Sequence, residues 1–283
     1  ASAGSRYEAK GYRVNLQPLF RLYARAFARP VFYKVHRLLY NLSLRGMGVL
    51  NWETDDLQGE TAILRRFVAS APSGAIVLDV GANVGKYSRS VRSIAPQVNL
   101  HSFEPSPQAF AELQAAMSGD DVRCVRAAVG SVEGTATLFD HAGAAGSGHA
   151  TLQGDVIERI HGGVAKTTQV PVIRLDRYIR EERIESVFWL KIDVEGREAD
   201  VLRGLGDLLT TGFEIRYIQI EFNEMNALSK TFLEDLCEML SGYRVYRILP
   251  GGKLVDISTE ALVLREIFAF QNLLFSKSDL CRR

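Results

Sequence analysis

The sequence predicts an α/β protein: a mostly parallel sheet with helices on both faces, preceded by a helical extension. Three observations lead there. From Gly74 onward, short apolar runs alternate with helical stretches, the pattern of βαβ units. The first run, Ile76 to Val80, opens into a glycine-bearing turn, Asp79-Val80-Gly81-Ala82-Asn83-Val84-Gly85. Two later runs also finish on carboxylates, at Glu104 and Asp193, so acids gather at one edge of the sheet.

Taken in order, Gly11 to Ser70 carries apolar positions at helical spacing without a strand pattern, which divides the chain into an extension, 1–70, and a main domain, 71–283. Ala1 to Ser5 reads as a tail outside the fold. Strands fall near 75–80, 98–103, 122–127, 187–192 and 215–221, and helices near 84–95, 107–117, 197–210 and 229–240. Tyr243–Leu249 and Phe268–Phe275, with a Pro250-Gly251-Gly252 turn between them, complete seven strands by closing the edge in antiparallel fashion. Asp140 to Gln169, rich in Gly, Ala, Ser and His, is longer than an ordinary connection and predicts a lid or substrate loop with Ser147, His149 and Thr151 as polar contacts. His141, His149 and His161 lack the spacing of metal ligands.

The bulk composition narrows the function classes. With 283 residues, 47% hydrophobic and 24% charged, the chain suits one elaborated globular domain. A net charge of +1 argues against a dedicated nucleic-acid binder. Cys124, Cys237 and Cys281 lack Cys-x-x-Cys spacing, which predicts a reducing, cytoplasmic setting and no zinc site. No run approaches the roughly 18 apolar residues of a spanning helix. Between Lys10 and Leu50 every charged side chain is basic, with Tyr, Phe and Leu interleaved. Such a segment serves either as a solvated face over a core stripe or as a peripheral contact with an anionic membrane or glycolipid at its inner face.

The turn after the first strand is built for a nucleotide-like ligand. Gly81 and Gly85 permit sharp bending, Asn83 tolerates left-handed geometry, and the following helix (with Tyr87 and Ser88 in its first turn) offers free amides. A dinucleotide site would read Gly-x-Gly-x-x-Gly. Here Asp79 precedes the first glycine, and a carboxylate there repels a pyrophosphate but suits a cation. Glu104, followed by Pro105, ends the second strand about 20 residues later, where α/β nucleotide folds grip ribose hydroxyls.

A second constellation follows in Leu190-Lys191-Ile192-Asp193-Val194-Glu195-Gly196. Strand alternation puts Lys191 and Asp193 on one side, with Glu195 just beyond. Groups this close shift one another's proton affinities and can position a hydroxyl and accept its proton. The alternative is a strand-end salt bridge with a helix cap. Glu221 ends the next strand, so Asp193 and Glu221 are expected side by side, where hard oxygen ligands would suit Mg²⁺.

Together with Ala128-Val129-Gly130 and Ile218-Gln219-Ile220-Glu221, these blocks resemble the FkbM family of S-adenosylmethionine-dependent methyltransferases, over roughly Gly59 to Phe275. The resemblance implies a Rossmann-like class I methyltransferase fold and O-methylation of a saccharide, glycan end or related natural product. It implies that Asp79, Gly81, Asn83 and Gly85 hold the methionine part of the cofactor, that Glu104 holds the ribose, and that Lys191, Asp193 and Glu195 line the reaction centre. Adenine contacts would come from Arg126 and Ala127. Two other readings stay open: an NAD-dependent oxidoreductase, and a non-catalytic membrane-associated protein retaining the fold.

Overall fold

In the computed structural model, residues 16–117, 119, 121–141 and 165–281 are described. The chain divides into two compact units, residues 1–47 and 48–283. In the first, α1 (Gln17–Phe27) and α2 (Tyr33–Gly46) flank a short 3₁₀ turn at Pro30–Phe32. His36 joins them: one ring nitrogen lies 3.4 Å from the Tyr23 hydroxyl and the other donates to the Phe27 carbonyl at 3.1 Å. No residue of α1 is buried, and in α2 Leu44 alone is.

The helical reading of 48–70 is interrupted in the structure. Val49 bridges Gln271 in antiparallel fashion, and helix resumes only at α3 (Asp55–Gln58), capped by the Thr54 hydroxyl. From α4 (Glu60–Ile63) the chain widens into a π turn, Leu64–Val68, with Leu64 and Val68 fully buried. This stretch is part of the second unit.

The main sheet begins with β1 (Ile76–Val80), β2 (Asn99–Phe103) and β3 (Val122–Val125), linked by α5 (Lys86–Ile94) and α6 (Pro107–Ala116). A second, three-stranded sheet follows: β4 (Ala128–Val129), β5 (Gly134–His141) and β6 (Ala165–Ile173), in the order β4-β6-β5. The chain then returns with β7 (Ser186–Ile192), β8 (Glu214–Phe222), β9 (Arg244–Leu249), β10 (Lys253–Asp256) and β11 (Gln271–Ser276). Across the main sheet the order is β10-β9-β11-β8-β7-β1-β2-β3. Strands β3, β2, β1, β7 and β8 run parallel, and β11 inserts antiparallel between β8 and β9.

Two expectations change. The sheet has eight strands rather than seven, because the Pro250-Gly251-Gly252 turn returns the chain as β10, a half-exposed strand too short and polar to read from sequence. The segment 140–169 is not one connection: its ends belong to the β5–β6 hairpin, where Leu138 faces Thr168 and Thr137 faces Gln169. Ser147, His149, Thr151 and His161 lie outside the described residues.

Both sheet faces are covered, which is why its central strands read as unbroken apolar runs. Val77, Leu100, Trp189 and Leu274 pack with Leu64, Val68, Val91 and Leu113 on one side. Leu78, Val80, Leu190, Ile192 and Ile218 pack with Leu175, Ile179, Val201 and Leu202 on the other. Strand order reverses between β1 and β7, so the connections that leave their carboxyl ends go to opposite sides and border a crevice, the usual ligand position in such sheets.

The crevice depends on a close crossing of two chains. Gly81 has φ +88°, and a Cβ there would lie 1.7 Å from the Asp193 carbonyl oxygen. Gly81→Ala should therefore cost roughly 3 kcal/mol in chemical denaturation, through backbone strain and displacement of the β7 end. An unchanged denaturation midpoint would show that the two turns separate freely.

Candidate active site

The turn after β1 is fastened to β2 before any ligand arrives. The Gly81 and Ala82 amides both donate to the Phe103 carbonyl, at 3.0 and 2.9 Å. Asn83 is left-handed, at φ 48°, and its amide donates to Glu104 Oε2 at 2.9 Å. Glu104 Oε1 accepts from the Ser106 amide at 2.7 Å, so the β2 carboxylate bridges two loops. The Asn83 side chain does not cap α5; Gly85 is the N-cap, without a side-chain hydrogen bond. Asn83 Oδ1 is buried and has no hydrogen-bond partner among the described residues.

Asp79 is 1% exposed at the crevice floor. It accepts a hydrogen bond from Ser88 Oγ at 2.5 Å, and Ser88 Oγ lies 2.8 Å from Ser102 Oγ. Burial pushes the Asp79 carboxyl up to about 6, against the opposing effects of Ser88 and Lys191. Near neutral pH this group is a desolvated anion aimed at the crevice.

Lys191, on the adjoining strand, is 2% exposed and pairs with Glu60 Oε1 and Asp193 Oδ2, each at 3.2 Å. Burial opposes its charge, but Asp193, Glu60 and Glu221 outweigh that and hold the ammonium protonated. Its Nζ also sits 5.5 Å from the centre of the Tyr87 ring. The Tyr87 hydroxyl accepts from Trp189 Nε1 and donates to Gln219 Oε1, both at 2.8 Å. Gln219 Nε2 in turn donates to Glu60 Oε1 at 2.7 Å. Burial, then repulsion from Asp193, raises the Glu221 carboxyl well above the usual range despite Lys191.

The Glu195-Gly196 turn is held from behind. Glu195 is left-handed, at φ 51°, and its Oε2 lies 3.4 Å from Asn223 Nδ2, which also donates to Glu221 Oε1 at 3.1 Å. Glu198, 1% exposed, accepts from the Gly196 amide at 3.0 Å and the Val194 amide at 3.4 Å. Its other oxygen accepts from Asn226 Nδ2 at 2.6 Å. Burial pushes the Glu198 carboxyl up to about 7.

The predicted residues therefore converge from four strand ends. Asp79, Gly81, Asn83 and Tyr87 border one cavity of about 170 Å³ together with Lys191 and Asp193. Glu104 adjoins it through the Asn83 amide, and Glu221 through Lys191 and Asn223. Tyr87 and Ser88 have their hydroxyls engaged by protein groups. Pro105 is half-buried before α6; Ala127 is buried and Arg126 exposed between β3 and β4. Among the described residues no group of three or more His, Cys, Asp or Glu is arranged to hold a metal ion. At the expected oxygen cage Asp193 instead pairs with the Lys191 ammonium, which Glu60 also meets, and these residues do not fit a divalent cation.

Sequence reasoning missed Glu60, Gln219, Asn223 and Glu198. Gln219 lies two positions before Glu221, so strand alternation could have found it. Nothing local marks Glu60, which reaches Lys191 across more than a hundred residues.

The cavity lining sets Asp55, Glu60, Asp79 and Asp193 against Lys86 and Lys191. That surplus of carboxylate and the orphaned Asn83 oxygen fit a ligand with a cationic, hydrogen-bond-donating end, as S-adenosylmethionine has. Fold and site together fit the class of α/β enzymes with a ligand crevice at the sheet's switch point. A methyltransferase FkbM domain model matches residues 79–247, more than half of the chain. The chain belongs to the FkbM family of S-adenosylmethionine-dependent methyltransferases and is an enzyme of that class. It is 24% identical over 266 residues to the 2-O-methyltransferase NoeI of Sinorhizobium fredii, covering 89% of this chain and 96% of that protein. It is 32% identical over 167 residues to the 31-O-demethyl-FK506 methyltransferase FkbM of Streptomyces tacrolimicus, covering 51% and 64%. The hexuronic acid methyltransferase AglP of Haloferax volcanii is 23% identical over 175 residues, covering 61% and 66%. The oxidoreductase alternative is set aside by this membership.

Glu198→Ala should leave the Gly196 amide and the Asn226 amide group without their buried acceptor. The expected loss is about 2–4 kcal/mol of unfolding free energy, measured in urea, with catalysis falling alongside. Full stability in that variant would mean water replaces the carboxylate.

Proposed function

We propose that this methyltransferase acts on a hydroxyl of a saccharide, glycoconjugate or related natural product. The observation that carries the reading is the carboxylate-rich crevice between Asp79 and Asp193. The names of NoeI and FkbM support an oxygen acceptor, and that of AglP a sugar acid. The chain spans about two-thirds of the length of FkbM and AglP, so their substrates serve as guides to chemical class.

S-adenosylmethionine supplies an electrophilic methyl group on a sulfonium. Asp79 and Asn83 Oδ1 would hold its amino-acid end, and Glu104 its ribose. Gly81 and Gly85 shape the turn between them, with Pro105, Arg126 and Ala127 along the nucleoside side. Tyr87 and Ser88 act through others: Ser88 fixes Asp79, and Tyr87 fixes Gln219 and flanks Lys191. The enclosed volume of about 170 Å³ suits an amino-acid end, since pockets for whole ligands run to roughly 300–1,000 Å³.

Asp193 is a crevice carboxylate at a strand end that remains partly open, its side chain 31% exposed. It orients the acceptor hydroxyl and takes up its proton. Lys191 positions Asp193, while Glu195 and Glu221, linked by Asn223, support the far side. Burial, then repulsion from Asp193, raises the Glu221 carboxyl well above the usual range and so favours its neutral form.

Asp193→Ala should lower kcat by about 10²–10⁴-fold while calorimetric affinity for S-adenosylhomocysteine stays nearly constant. Equal loss of both would make cofactor binding, and not proton uptake, the role of Asp193. Cofactor affinity should also depend on pH through Asp79. Above its value of about 6 the carboxylate is charged and affinity is flat. As pH falls through that value a proton competes with the cationic ligand, and affinity should drop by up to about tenfold per pH unit. Asp79→Asn should flatten this dependence; a persisting slope would assign it to another group. Mass spectrometry of glycans from cells lacking the protein, seeking a missing methyl increment, identifies the acceptor.

A further inference from the structure

The first unit leaves its apolar side chains uncovered. In α1, Leu16, Leu19, Phe20, Tyr23 and Phe27 recur at i, i+3, i+4, i+7 and i+11, one helical face, and all are exposed. In α2, Val35, Leu38, Leu39 and Leu42 repeat the spacing, with Leu38 59% exposed. A soluble face of this kind normally packs on a core, yet no residue of α1 is buried and in α2 only Leu44 is.

The charged side chains lie off these stripes. Arg21 and Arg25 lie one turn apart on the opposite side of α1, and Lys34 and Arg37 lie one turn apart on α2. No acid occurs between Lys10 and Leu50. That asymmetry selects the occupant. A second copy of this unit would bring cations against cations. A bilayer with anionic headgroups satisfies both surfaces at once: acyl chains take Leu and Phe, headgroups take Arg and Lys, and Tyr sits between them. Helices of 11 and 14 residues are too short to cross, since spanning takes roughly 20. No described helix is long and apolar enough to do so.

We propose that residues 16–47 form a peripheral docking element that lies in the interface of an anionic lipid bilayer. The inference is independent of the methyl-transfer reading, because it uses no residue of the crevice.

The test is sedimentation of the full chain with vesicles of phosphatidylcholine alone or mixed with phosphatidylglycerol. Binding is expected to the mixed vesicles, to weaken with added salt, and to be slight with phosphatidylcholine alone. Each basic residue near such a surface contributes a factor of roughly five, so Arg21→Ala with Arg25→Ala should weaken partitioning on the order of 25-fold. Leu38→Trp should give a blue-shifted emission component on mixed vesicles that the parent chain lacks. Thermal unfolding of each variant, matched to the parent, keeps misfolding separate. The proposal is overturned if the chain binds both vesicle types equally or neither. It is equally overturned if light scattering finds a stable dimer that Leu38→Asn dissociates while vesicle binding is absent.

Discussion

The second unit turns on one buried ammonium. Lys191 is nearly inaccessible to water, and an unpaired charge there would cost several kcal/mol. It is tolerated because carboxylates from separate elements, Glu60 before the sheet and Asp193 at the end of its own strand, meet it at hydrogen-bonding distance. In return it keeps those acids from repelling one another apart. Remove the cation in thought, and Asp79, Asp193, Glu60 and Glu221 form an uncompensated cluster that could persist only by taking up protons. The crevice is thus held between attraction to one lysine and a surplus of negative charge, and the surplus suits a cationic ligand.

Hydrogen bonds behind these charges turn the electrostatic balance into geometry. Trp189, Tyr87, Gln219 and Glu60 form a chain of donors and acceptors that ends on the partner of Lys191. Asn223 and Asn226 connect the β8 end to Glu221, Glu195 and Glu198. Two non-glycine residues with left-handed backbone, Asn83 and Glu195, flank the crevice from opposite turns. Such conformations cost of order 1 kcal/mol or more and persist where the surroundings over-determine them. Here the surroundings are the Glu104 bond to the Asn83 amide and the Glu198 bonds behind Glu195.

Family membership gives the reaction class, and the carboxylate-rich crevice fits the cationic cofactor of that class. The matched segment spans residues 79–247, and the basic helical pair precedes it. A methyltransferase whose leader rests on lipid would meet acceptors carried at that surface more often than free ones, which ties the docking proposal to the choice of substrate without altering the chemistry.

The amino-acid order alone determined the parallel core, because strands buried on both faces must read as apolar runs. It also determined the two turn motifs, because Asp79-x-Gly81-x-Asn83-x-Gly85 and Lys191-x-Asp193-x-Glu195-Gly196 are local in the chain. Short half-exposed strands such as β10 and the arms of the β5–β6 hairpin escaped it, since their stability comes from pairing across space rather than from periodicity. The tertiary structure alone decided that Glu60 completes the Lys191 site and that the Lys191 ammonium is the cation Asp193 meets. It also decided that Gly81 is required by the Asp193 carbonyl. Each of these is a contact between segments far apart in sequence, and no local pattern encodes which distant charge will neutralise a buried one.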